Sequence, residues 1–147
     1  MLKRIALLLA LVGMLAVGLS DAAMAGTRTL GGKLEPGGRV AFELKRTKTG
    51  KRKIIDWRWR DLPIICNKGA STHQHDGHFA KPAMPVDETR QFGDDRANSD
   101  PEFRNTASVT GSFPTTWRRA EGTLQVVGNF TWGSCDSGIV NWTAKRR

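Results

Sequence analysis

His73-Gln74-His75-Asp76-Gly77-His78 contains all three histidines of the chain. Imidazoles at i, i+2 and i+5 beside a carboxylate suit Zn²⁺ or Cu²⁺, because neutral imidazole nitrogen is a donor that both ions favour. From an irregular loop His73, His75 and His78 could converge on one ion, with Asp76 as a fourth ligand or as acceptor for a ring N–H. The plainer reading is a polar surface loop whose histidines are solvated. No cofactor is expected on that reading, and a small secreted metal-binding protein or metal-dependent enzyme is the alternative.

A second constellation is electrostatic. Arg39 to Arg60 carries nine basic residues against Glu43 and Asp56. Arg46, Lys48, Lys51, Arg52 and Lys53 cluster around Thr47-Lys48-Thr49-Gly50, a polar glycine-containing stretch that reads as a hairpin tip. Cations concentrated there would reach beyond a sheet toward an anionic polymer such as a cell-envelope polymer. Trp57 and Trp59 alternate with Arg58 and Arg60, a mixture that in a nucleic-acid site would stack bases. A two-residue period instead sends the tryptophans to the face opposite the arginines, so they are expected in the core and no strong nucleic-acid signal remains.

The remaining candidates are weaker. Asp136-Ser137-Gly138 has the residue types of a serine nucleophile turn, but Ser-Gly beside Asp is ordinary turn chemistry. Asp94, Asp95, Asp100 and Glu102 lack the spacing of a calcium loop and read as a solvated acidic segment. Cys66 and Cys135 are the only cysteines. They have no C-x-x-C spacing, and in an exported chain they are expected to form one disulfide.

Export is indicated by the first residues. Lys3 and Arg4 precede an apolar run from Ile5 to Leu19 that leads to Ala23-Met24-Ala25, which has the form of a signal peptide over residues 1–25. The run is shorter than the roughly 20 apolar residues of a spanning helix, so no transmembrane anchor is expected after cleavage. Residues 26–147 then form a single domain of roughly 120 residues, large enough for one modest core. The formal net charge of the whole chain is +9. Such a surface favours anionic neighbours without identifying one.

The elements that must position these groups are strands. Val40, Phe42 and Leu44 alternate with Arg39, Ala41 and Glu43, and Ile55, Trp57 and Trp59 alternate with Asp56, Arg58 and Arg60. Both patterns have the period of a half-buried strand. Short strands are also expected at Thr27–Leu30, Phe103–Phe113 and Arg119–Val127. Gly128-Asn129 reads as a hairpin turn into Phe130–Trp132. Val140, Trp142 and Ala144 define the last strand. Between residues 67 and 101 prolines, acids and the histidines leave a long irregular segment with at most one short strand, near Gly77–Ala80. Seven or eight short strands without helical periodicity predict an all-β fold, a small antiparallel β-sandwich or else a small OB-like β-barrel.

The ending C-D-S-G-x-V-x-W-T-A-x-R-R at Cys135–Arg147, with R-A-E-G-T-L at Arg119–Leu124 and G-G-R-V-A-F at Gly37–Phe42, resembles a group of uncharacterised small secreted β-sandwich proteins of actinobacteria. The resemblance implies a bacterial source, a β-sandwich and export. It brings no activity and no catalytic residues. The composite expectation is a non-enzymatic protein of the cell envelope or extracellular space that binds or has a structural role.

Overall fold

The computed structural model describes residues 25–67, 72–79, 83–97 and 105–147. The expected leader lies outside this set except for Ala25. Ten strands follow in order: β1 (Gly26–Glu35), β2 (Arg39–Arg46), β3 (Arg52–Cys66), β4 (Thr72–Phe79) and β5 (Met84–Val86), then β6 (Gln91–Ala97), β7 (Asn105–Ser112), β8 (Arg119–Phe130), β9 (Gly133–Asp136) and β10 (Val140–Arg146). The described residues contain no helix, so none is long and apolar enough to cross a membrane.

Every pairing is antiparallel. The path β10-β1-β2-β3-β9-β8 closes on itself, because β8 pairs with β10 through Arg119–Leu124 and with β9 through Val127–Phe130. Strands β7 and β6 extend from the other edge of β8, while β4 and β5 line the free edge of β3. The expected all-β class is therefore realised as a curled ten-stranded sheet whose middle forms a barrel.

Side-chain alternation fills this barrel. Val40, Phe42 and Leu44 of β2, Leu124 and Val126 of β8, and Val140, Trp142 and Ala144 of β10 are all buried. At the centre Phe42 stacks on Trp57 with ring centroids 4.8 Å apart, and Trp142 meets Trp57 edge to face at the same distance. Phe92 and Phe113 complete the cluster. Each aromatic pair adds about 1 kcal/mol beyond its burial. Among the described residues the Trp57 and Trp142 indole N–H groups have no hydrogen-bond partner. Each unmade bond costs about 1–3 kcal/mol, which the surrounding aromatic burial has to offset.

β3 departs from the simple alternation expected of it. Ile54, not Ile55, is the core residue before Trp57, and Leu62 follows Trp59 after three positions instead of two. Asp56 and Asp61 take φ values of 54° and 56° at these two places, and the β3 registers with β2 and β4 shift there. Each is a β-bulge that inserts one residue and increases the local coil. The strand can thus bend around the barrel, running past Pro63 to Cys66.

The irregular segment expected over 67–101 is corrected. Its described parts form β4, β5 and β6, so ten strands stand where seven or eight were expected. Residues 68–71, 80–82 and 98–104 lie outside the described residues. The end of β8 also differs, since Gly128-Asn129 continues the strand and Thr131-Trp132 makes the turn into β9. Gly128 and Asn129 carry turn propensity, but pairing with Cys135 and Ser134 holds them extended.

Candidate functional site

The histidines sit on β4, and a strand separates what a loop could gather. His73 and His75 point to one face and His78 to the other, as their burial pattern requires. Among the described residues no group of three His, Cys, Asp or Glu side chains is arranged to hold a metal ion. His75 Nδ1 accepts a hydrogen bond from the Trp59 indole at 3.1 Å, and its ring packs on Phe130. Burial holds the His75 imidazole below the usual histidine range, against a smaller opposing pull from Asp76. His73 lies flat on Trp132, with centroids 4.2 Å apart and planes 6° from parallel. Asp76 accepts the backbone N–H of Asp61 at the second β3 bulge. These side chains dock β4 onto β3 and the β8–β9 turn.

Ser137 is also structural. Its Oγ accepts the Val126 N–H at 2.9 Å and donates to the Gly138 carbonyl at 2.8 Å. Asp136 accepts the Gly138 N–H and the Gln125 amide. The pair replaces missing ladder bonds where β9 leaves β8.

The basic hairpin has more consequence. The β2–β3 turn spans Thr47–Lys51, closed by the Thr47 N–H bond to the Lys51 carbonyl. Lys48 and Lys51 are exposed at its tip, and Lys53 lies opposite Lys45. Arg46 and Arg52 face each other across the first pair of the hairpin and do not project with the tip. Both have the parity of the core, Arg46 two residues beyond Leu44 and Arg52 two residues before Ile54. The same parity places Arg28 two residues before Leu30 and Arg146 two residues after Ala144.

Four strands thus continue their inward rows past the last apolar layer with arginine. Arg28, Arg46, Arg52 and Arg146 line a cavity of about 270 Å³, with Leu44 and Trp117 forming its apolar wall. Trp117 packs on Phe113 at 5.0 Å, and the Arg52 guanidinium lies 3.8 Å from the centre of the indole. Arg90 approaches the same ring at 5.4 Å. A guanidinium over tryptophan contributes about 0.5–2 kcal/mol, which holds Arg52 in place.

Among the described residues none of the four lining arginines forms a salt bridge. The Arg46 Nε is buried without a partner. Burial, then the Arg46, Arg28 and Arg90 charges, pull the Arg52 guanidinium below its usual range. It remains a cation at physiological pH, since guanidinium does not deprotonate in proteins. What the site can do chemically is accept an anion through guanidinium N–H forks, one of them held over the Trp117 ring.

Sequence reasoning located Arg46 and Arg52 but missed Arg28, Arg90, Trp117 and Arg146; for the three arginines the only sequence signal is a basic residue two positions from a core residue. No family model, no curated protein and no solved structure matches it.

Proposed function

We propose that this protein is an exported, non-enzymatic binding protein of the cell envelope or extracellular space that engages an anionic polymer through the β2–β3 hairpin. The observation that carries this reading is the gathering of guanidinium groups at the hairpin base without a carboxylate among them. Like charges opposite one another destabilise a ladder, so Arg46 against Arg52 and Lys45 against Lys53 favour an anionic partner. Lys48 and Lys51 at the tip, with Lys53 on the strand, extend the cationic surface beyond the mouth.

Export is supported by the leader pattern of residues 1–25 and by the disulfide, which persists in oxidising compartments. Cleavage after Ala25 would place a free α-amino group on Gly26 at the cavity rim, opposite Arg46, adding a further cation there.

The test is retention on immobilised heparin, used as a model polyanion. Replacing Lys48, Lys51 and Lys53 with glutamine is expected to lower the eluting salt concentration and the salt dependence of binding. Retention unchanged by the three substitutions would overturn the reading.

A further inference from the structure

We propose that the barrel mouth binds a single phosphate-type tetrahedral oxyanion between Arg28, Arg46, Arg52 and Arg146, against the wall made by Trp117 and Leu44. The proposal deepens the anionic-polymer reading by giving one group of the ligand a defined site.

The geometry selects the anion. Four arginines, one from each of the neighbouring strands β10, β1, β2 and β3, line the cavity, so an anion within it has several guanidiniums in reach. A carboxylate offers two oxygens in one plane and is satisfied by one fork. A tetrahedral oxyanion offers oxygens in several directions and carries about −1.5 to −2 charge near neutral pH as a phosphomonoester. The four cations then have both acceptors and neutralising charge.

The cavity, at about 270 Å³, lies below the roughly 300–1,000 Å³ of pockets that enclose drug-sized ligands. It therefore takes one small group, not a length of polymer. Leu44 and Trp117 exclude water from one side, which strengthens each charge-assisted bond. The buried Arg46 Nε would gain the acceptor it lacks. Arg52 is already held over the Trp117 ring, so little of its freedom would be lost on binding.

The test is calorimetric titration of inorganic phosphate into the protein at ionic strength fixed with sodium chloride. Saturable binding with Kd below about 1 mM is expected. Arg28→Gln combined with Arg146→Gln is expected to weaken it by about tenfold or more, whereas Lys33→Gln on β1 leaves it within about twofold. Indistinguishable heats from phosphate and chloride, or a double variant that binds as tightly as the parent, would overturn the proposal.

Should the double variant not fold, the unmodified protein still decides the matter. Phosphate should shift the Trp117 indole N–H resonance where chloride at equal ionic strength does not, and the absence of a shift would overturn the site. Glycerol phosphate binding tighter than inorganic phosphate assigns the natural source to an esterified phosphate, and equal or weaker binding assigns it to the free anion; either result supports the site. Heparin retention with no phosphate binding would sink this proposal alone. Phosphate binding with retention unaffected by the lysine substitutions would sink only the polymer reading.

Discussion

The Trp59 indole donates to His75 Nδ1, so the ring is neutral and carries its proton on Nε2. Protonating Nδ1 would set two donors against each other in a partly buried site. The folded-state pKa lies below the unfolded value of about 6.5. The unfolded chain therefore takes up the proton first as pH falls. The His75 contribution is complete above about pH 6.5 and is lost as pH falls toward the depressed folded value. Lowering pH from about 7.5 to about 5 should reduce the urea midpoint of the parent more than that of His75→Gln, which retains an acceptor but does not titrate. Equal reductions would show that His75 is not the group responsible. The sequence displayed these histidines plainly, yet not their partners. Trp59 and Trp132 lie 16 and 59 positions from them, and only strand pairing brings them into contact.

Among the strands, β7 shows how a residue without a side chain shapes the core. Gly111 occupies the inward row after Ala107 and Val109. A Cβ there would overlap the Phe92 ring and stand 2.6 Å from the Trp142 indole. The glycine thus makes room for two aromatic rings of the central cluster. Gly111→Ala should cost about 1–3 kcal/mol by overpacking, read as a lower urea midpoint with an unchanged denaturant slope. A neutral effect would mean that the cluster has slack. Strands with strict alternation were legible, as β2 and β10 demonstrate. β3 was legible only in part, because its two bulges shift the inward row by one residue at Asp56 and again at Asp61. Of β4 only the end near Gly77 was expected, and β5 and β6 were missed, since the apolar residues of all three are few. They are held by pairing to β3 and β7, which no local pattern records.

On the scale of the molecule, the barrel closes through a narrow seam. Among the described residues β3 and β9 share only Ile65 with Asp136 and Cys66 with Cys135, the latter joined by the disulfide across 69 positions. Asn67 extends the seam, its backbone N–H donating to the Ser134 carbonyl and its side chain accepting the Ser134 N–H. A cross-link over that separation limits the unfolded chain by about 4 kcal/mol in the chain-entropy model. Cys135→Ser should therefore lower Tm by roughly 15 °C, measured by circular dichroism under oxidising conditions. An unchanged Tm would show that the ladder alone holds the seam.

The sequence by itself determined the strand class, the identity of the core in β2, β8 and β10, the disulfide pair and the surplus of positive charge. Each of these follows from local alternation or from a count, with two cysteines admitting one pairing. The tertiary structure decided which charges meet. Arg28, Arg46, Arg52 and Arg146 meet because β10, β1, β2 and β3 are neighbours in the sheet, and the β8–β10 pairing brings Trp117 to the same rim. The inward parity of each arginine is local, but the cavity they share exists only when four strands end at the same rim. For the histidines the opposite holds: adjacency in sequence promised a ligand set, and the alternation of β4 divided it between two faces.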